Sequence, residues 1–236
     1  MNIAGFLPQS FCDWPGKTAA VIFTPGCNFR CGFCHNRELI EFRNTDNEEA
    51  VLKKLEDLKW SLDGVVITGG EPTLQSDLVA FCKKIKGMGC AVKLDTNGSN
   101  PGAVELAIKE RAVDYIAMDL KTSLDKYTAL TKSSCAEAVK KTIRLITSSG
   151  IDHEFRTTVV PGVVTKEDII SAVHEIKNAK RYSLQRFVPK NCLDEAFNSI
   201  KSPTHEELVD IASSLTFSGE IRIRDEHRET VFKKAS

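Results

Sequence analysis

Six short runs of β-branched and other apolar residues, at 19–23, 64–68, 91–95, 115–119, 155–160 and 182–187, are separated by segments of helical periodicity. A further short run at 221–223 offers one more strand. Most of the six are almost continuously apolar, the pattern of strands buried on both faces of a parallel sheet. The alternation restricts the chain to an α/β fold. Six β-α units in 236 residues fit a curved, open barrel, since a complete eight-unit barrel takes about 250. A doubly wound flat sheet is the alternative. No Pro/Gly/Ser-rich linker interrupts the alternation, so the chain reads as one domain, and 42% apolar residues supply a sizeable core.

The helical segments carry start and stop signals. Thr45 and Glu48 have capping-box spacing, as do Thr165 and Asp168. Leu78, Phe81, Cys82 and Ile85 form an apolar stripe. Ser202-Pro203 reads as N-cap then first helical residue, and Gly150 and Gly219 as helix stops.

Charge narrows the partners. Thirty-two basic residues balance 32 acidic ones, so no chain-wide basic field exists to attract nucleic acid or an anionic membrane. No run of 18 apolar residues is present, and the first basic residue, Lys17, follows Asp13. Neither a membrane span nor a secretory signal is expected, and the expected location is cytoplasmic. In that compartment a cysteine cluster points to metal or redox chemistry rather than to disulfides.

Chemistry in parallel β/α folds gathers where strands end. Here the strands run into Thr24-Pro25-Gly26-Cys27, Gly69-Gly70-Glu71-Pro72, Asp95-Thr96-Asn97-Gly98 and Asp119-Leu120-Lys121; the fifth contains Arg156, and the sixth carries Gln185 and Arg186. Cys27, Cys31 and Cys34 make a C-x3-C-x2-C triplet with Phe29 and Phe33 between them. His35 could complete a Cys3His zinc site. Its adjacency to Cys34 argues against that, and three cysteines without a fourth suit a [4Fe–4S] cluster with one open iron. Gly69-Gly70-Glu71-Pro72 is either a plain turn or a close backbone approach beside an amine acceptor. Asn97-Gly98 is also a common turn dipeptide. Asp119 and Lys121, two apart at a strand end, are either an acceptor and a cation for a zwitterion or an ordinary surface pair. Cys82 and Cys135 read as small core residues, Cys135 on a helical face with Val139, Ile143 and Ile146. Cys12, Cys90 and Cys192 are scattered; His153, His174, His205 and His227 are isolated; Lys53-Lys54 and Lys233-Lys234 read as solvated faces.

With an aromatic before its last cysteine and Gly-Gly-Glu-Pro after the second strand, the sequence resembles the radical S-adenosylmethionine superfamily. Cys34-His35-Asn36, Asp95-Thr96-Asn97-Gly98 and Met118-Asp119-Leu120-Lys121 are similar to the glycyl-radical-enzyme activases, the group of pyruvate formate-lyase activase and the activating proteins of anaerobic ribonucleoside-triphosphate reductase. The opening, Gly5-Phe6 through Asp13-Trp14-Pro15-Gly16-Lys17 and Phe23-Thr24-Pro25-Gly26-Cys27, is most similar to the reductase-activating branch. The likeness runs from about Gly5 to Pro189.

The resemblance implies a partial (β/α)6 barrel of the radical SAM type, one domain over 1–236 with a helix–strand extension from about 190 to 236. It implies a [4Fe–4S] cluster on Cys27, Cys31 and Cys34, with S-adenosylmethionine chelating the fourth iron. Gly69, Gly70 and Glu71 would hold the amino group of S-adenosylmethionine, Asp95 and Asn97 would lie beside its methionyl part, and Asp119 and Lys121 would meet ribose hydroxyls and carboxylate, with Arg156 a second cation. Pyruvate formate-lyase activase has a histidine on its last strand near the ribose; Leu184-Gln185-Arg186-Phe187 has none, leaving Gln185 or Arg186 in its place. The implied activity is reductive cleavage of S-adenosylmethionine to a 5′-deoxyadenosyl radical, which installs a radical on a glycine of a partner enzyme. The implied partners are anaerobic ribonucleoside-triphosphate reductase or a similar glycyl radical enzyme, and a reductant such as flavodoxin or ferredoxin. The alternatives are a radical SAM enzyme acting on a small molecule or another peptide, and a zinc-stabilised interaction protein. From Lys190 onward the chain reads as one helix and one strand, too little for a separate substrate domain, so a protein segment is the expected substrate.

Overall fold

The computed structural model describes residues 1–41, 46–225 and 229–232. Its nine strands are β1 (Gly5–Ser10), β2 (Ala19–Thr24), β3 (Gly64–Gly69), β4 (Ala91–Thr96), β5 (Tyr115–Asp119), β6 (Asp152–Val159), β7 (Arg181–Arg186), β8 (Glu220–Arg224) and β9 (Glu229–Phe232). They are hydrogen-bonded in chain order, β1 through β9. A doubly wound sheet reverses its strand order at a switch point; this one has no reversal, and the alternative falls. The pairs β2/β3, β3/β4, β6/β7 and β7/β8 are parallel. The order is that of a partial β/α barrel, and all six expected strands, and the one at 221–223, are present within a few residues of their anticipated bounds.

The two edges, β1 and β9, were not anticipated. Both pair antiparallel with their neighbours. The middle of β1, Leu7-Pro8-Gln9, is exposed, so it lacks an apolar run, and Pro8 suits an edge, where its missing N–H breaks no ladder.

Helices α1 (Glu48–Leu58), α2 (Leu78–Gly87), α3 (Pro101–Lys109), α4 (Tyr127–Thr131), α5 (Ala136–Ser148), α6 (Lys166–Glu175) and α7 (His205–Ser214) fill the connections. The α2 stripe Leu78, Phe81, Cys82 and Ile85 is buried, and Thr165 with Asp168 closes the capping box of α6. Three start and stop signals differ. The α1 cap is Asn47, whose side chain accepts from Glu49 and Ala50 N–H; Thr45 lies outside the described residues, as do His227, Lys233 and Lys234. Helix α7 is capped by Thr204 in a box with Glu207, two residues beyond the expected Ser202. Gly150 follows α5 with φ +78°, a true stop, whereas Gly219 lies four residues past the α7 cap at Leu215, where a Cβ would come 2.5 Å from Ala179 O. Among the described residues no helix is long and apolar enough to cross a membrane.

Contacts group the chain into two interleaved units, one of Met1–Asn28, Glu38–Thr96 and Asn100–Ala117, the other of Phe29–Arg37, Asn97–Ser99 and Met118–Ser236. The first is centred on Trp14, buried among Ala19, Val21, Val66, Tyr115 and Ala117. The indole lies 5.8 Å from the Tyr115 ring, Lys17 Nζ stands 5.4 Å over it, and a Cβ on Gly64 would come 2.6 Å from it. The Asp13-Trp14-Pro15-Gly16-Lys17 stretch is thus a packing device, with Lys93 Nζ reaching Asp13 O at 2.7 Å. In the second unit Val139, Ile143 and Ile146 of α5, Ile169 and Ala172 of α6, and Leu208 and Ala212 of α7 are buried, as are Phe155, Tyr182 and Leu184.

Trp14→Ala empties the centre of the first unit and is expected to lower the unfolding free energy by about 3–5 kcal/mol. Urea denaturation measures this; a loss under about 1 kcal/mol would mean that Trp14 is not the packing centre.

Candidate active site

In the first unit the ends of β2 and β3 lie side by side, Thr24 in register with Gly69. Beyond them the main chains stay together: Gly70 N–H donates to Thr24 O (2.8 Å) and Glu71 N–H to Gly26 O (2.7 Å). Gly26 N–H and Cys27 N–H donate in turn to Leu39 O (2.7 Å) and Ile40 O (3.1 Å). Gly69 has φ +113°, and a Cβ on Gly70 would come 2.1 Å from Gly26 O. Both positions therefore require glycine. The Gly-Gly-Glu turn is a close main-chain approach that fixes the backbone entering Cys27.

Glu71 is buried, and its Oε1 accepts from Thr73 N–H (3.1 Å), Thr73 Oγ1 and Thr96 Oγ1 (2.7 Å). It caps the short turn Pro72–Leu74. Asp95 accepts from Lys93 Nζ at 2.7 Å, and Lys93 is itself fully buried. That lysine was not singled out from the sequence, where it sits inside an apolar strand with no motif around it.

In the second unit Cys31 is buried and Cys34 half-buried; Cys34 N–H donates to Cys31 O at 3.0 Å. Phe29 meets Tyr127 edge-on at 6.3 Å, and Arg30 N–H donates to Thr131 O at 2.8 Å, which secures the cysteine loop against α4. Tyr127, fully buried, accepts from Lys121 N–H (3.0 Å) and donates to Asp119 O (3.4 Å). It thus links the loop to the exit of β5. No sequence signal marked it.

Asp119, Lys121 and Arg156 are brought together. Arg156 Nε donates to Asp119 Oδ1 and Lys121 Nζ to Oδ2, each at 2.8 Å. Their side chains are 27%, 18% and 11% exposed, a half-buried triad rather than a fully solvated pair. Burial pushes the Asp119 carboxyl up, but the Arg156 and Lys121 cations outweigh it and hold it well below the usual carboxylate range. Burial likewise opposes the charge of Lys121, yet Asp119 and the nearby thiols of Cys31 and Cys34 raise its affinity for a proton. The cluster carries one excess positive charge, and Cys31 and Cys34 are near enough for their charge to bear on Lys121. Asn97 Oδ1 accepts from Ser99 N–H at 2.9 Å, and Gly98 follows at φ +75°. Gln185 and Arg186 line a cleft of about 400 Å³ together with His35, Thr158, Val188 and Arg224.

All eight cysteines are free. Burial pushes the Cys82 thiol up to about 12. Cys135 is buried, as a small core residue would be, at the N-cap position of α5, where its side chain makes no cap hydrogen bond. His153 is structural: Nε2 accepts from Lys180 N–H at 3.2 Å, and Nδ1 lies 2.9 Å from Ile151 O. Among the described residues no three His, Cys, Asp or Glu side chains converge on one ion. A [4Fe–4S] cluster asks for something else, three thiolates on three separate irons. The free triplet on one loop, with a cation beside two of its members, fits that group in donor chemistry.

The comparisons with known proteins agree with this chemistry. The Radical SAM superfamily model matches residues 21–176. A Methanocaldococcus jannaschii protein with the provisional name glycyl-radical enzyme activating enzyme is 36% identical over 218 residues, covering 89% of each chain. Pyruvate formate-lyase-activating enzyme of Clostridium pasteurianum is 28% identical over 190 residues, 77% of this chain and 78% of that one. The crystal structure of Streptococcus suis SuiB bound to its precursor peptide SuiA shares the fold, with TM-score 0.63 and 21% identity over 80% of this chain; the chain spans 42% of that longer protein. By the extent of the family match and of the closely matched archaeal relative, the chain belongs to the radical SAM superfamily, oxidoreductases that work with a [4Fe–4S] cluster and S-adenosylmethionine.

Proposed function

We propose that the protein activates a glycyl radical enzyme and that its partner is anaerobic ribonucleoside-triphosphate reductase. The observation that carries the reading is the 36% identity, over 89% of both chains, to a protein named for glycyl-radical enzyme activation. The likeness of the Asp13-Trp14-Pro15-Gly16-Lys17 opening to the reductase-activating branch supports the choice of partner.

In this reading Cys27, Cys31 and Cys34 hold the cluster, and the fourth iron is left for the amino and carboxylate groups of S-adenosylmethionine. When bound, the two cofactors would take one electron from a reductant and supply a carbon radical able to take a hydrogen atom, with methionine as the other product. The chain's own residues bind and orient. Gly69 and Gly70 keep side chains out of the amino-group site beside Glu71, and Asp95 and Asn97 border the methionyl part. Asp119 accepts from ribose hydroxyls. Lys121 and Arg156, already charged and held by Asp119, meet the carboxylate without needing to be ordered on binding. In this reading Gln185 or Arg186, both lining the cleft at the end of β7, takes the part that the last-strand histidine has in pyruvate formate-lyase activase. A reductant of the flavodoxin or ferredoxin kind delivers the electron. The substrate is a protein segment, and glycine suits it because a Cα without Cβ allows close approach.

Anaerobically purified protein is expected to be brown, with about four irons per chain. Replacing any of Cys27, Cys31 or Cys34 by Ala should remove them, whereas Cys82→Ala and Cys135→Ala should retain them. Iron analysis with visible spectroscopy decides; loading that survives loss of a triplet cysteine contradicts the ligand set.

Lys121→Met should leave iron content unchanged and weaken S-adenosylmethionine binding by about tenfold or more, since one charge-assisted contact contributes about 1.5–3 kcal/mol. Calorimetric titration of the reduced holoprotein checks this, and wild-type affinity would move the carboxylate site elsewhere. With the reductase present, a glycine-centred radical should appear by electron paramagnetic resonance. Its absence, with turnover of a metabolite instead, would contradict the activase reading.

A further inference from the structure

The segment between β7 and α7 has no role in the chemistry so far, yet it does not run directly from strand to helix. Leu193 N–H donates to Cys34 O (3.0 Å) and Asp194 N–H to Gly32 O (2.9 Å). The His35 ring places Nδ1 2.7 Å from Lys190 O, and Asn191 Nδ2 reaches His35 O at 3.5 Å. Residues 190–194 are therefore laced to residues 32–35 by four contacts. The lacing is backed by rings. Phe197 stands over Gly32, where a Cβ would come 2.5 Å from its Cε2, and lies 6.3 Å from Phe33; Phe187 lies 5.9 Å from His35.

The strap is braced at its own ends. Asp194 caps the short turn Glu195–Ser199 through Ala196 N–H (3.0 Å), and Cys192 N–H donates to Asn198 Oδ1 (3.1 Å). Arg186 Nε holds Pro203 O at 2.9 Å, tying the end of β7 to the start of α7.

Gly32 and Phe33 are the two residues between Cys31 and Cys34. Their backbone sets how far apart those two sulfurs stand, and the strap occupies the carbonyls of Gly32 and Cys34 on one side of it. We infer that residues 190–197 form a positioning strap for the cysteine loop, anchored by Phe197, which holds Cys31 and Cys34 at the spacing a cluster needs. The inference rests on the reading of these cysteines as cluster ligands. Outer-shell groups of this kind orient metal ligands, and solvent exposure and local hydrogen bonding set the potentials of iron–sulfur clusters. Phe197 is a positioning residue, since it acts on the cysteines through Gly32 and Phe33. The glycine is the counterpart of the ring: any side chain at 32 pushes the anchor away.

The test compares wild type, Phe197→Ala and Phe197→Tyr as reconstituted holoproteins. All three should load iron fully. Phe197→Ala should release iron to bathophenanthroline disulfonate about tenfold faster and shift the cluster's midpoint potential, and Phe197→Tyr should restore both. If Phe197→Ala does not fold, Gly32→Ala displaces the ring without removing any thiol or the phenylalanine itself, and the same two readouts apply. Wild-type release rate and potential in the folded variant overturn the inference. Wild type that loads no iron overturns the ligand assignment instead; in that event alkylation of Cys34 by iodoacetamide in apo protein still tests the strap, faster in Phe197→Ala if it holds the loop and equal if it does not.

Discussion

The chemistry of this chain depends first on a close approach between two stretches of main chain. Because β2 and β3 end in register, Gly69 and Gly70 can lie against Thr24 and Gly26, and a Cβ on Gly70 would come 2.1 Å from the Gly26 carbonyl. The resulting ladder, Gly70 to Thr24 and Glu71 to Gly26, determines where the chain enters Cys27. Glu71 is carried along, anchored by Thr73 and Thr96. A side chain on the second glycine would separate the two strand exits and misplace the start of the cysteine loop.

Electrostatics provide a second layer in the unit that holds Cys31 and Cys34. One carboxylate, Asp119, is shared between Arg156 and Lys121. Burial alone would favour neutral groups. Two cations around one acid keep all three charged and leave an excess of positive charge. The arrangement suits an anionic group arriving beside thiolates, and it is held by a buried tyrosine, Tyr127, that also packs against the cysteine loop through Phe29.

What could be read from sequence follows from which signals are local. Strands buried on both faces announce themselves as apolar runs, so the six parallel strands and the residues at their exits were found. The capping box at Thr165 needs only three residues and was found; that of α7 was misplaced because Ser202-Pro203 imitates it two positions early. Edge strand β1 has an exposed middle and a proline, and gave no pattern. Lys93 and Tyr127 hid as ordinary members of a strand and a helix start, since their roles arise only from tertiary partners. The strap over the cysteine loop is the extreme case: His35 and Lys190 meet across 155 residues of sequence, and no local signal reports such a contact. Gly32 carries no signal of its own in the sequence, since the ring that requires it lies on Phe197.

The central claim is that hydrogen leaves a glycine of a partner protein. It is tested most directly by supplying anaerobic ribonucleoside-triphosphate reductase deuterated at glycine Cα to the reduced holoprotein with S-adenosylmethionine, and analysing the 5′-deoxyadenosine by mass spectrometry. The account predicts one deuterium in the product. Unlabelled 5′-deoxyadenosine formed in step with glycine-radical formation, or label taken only from a small-molecule substrate, would contradict it.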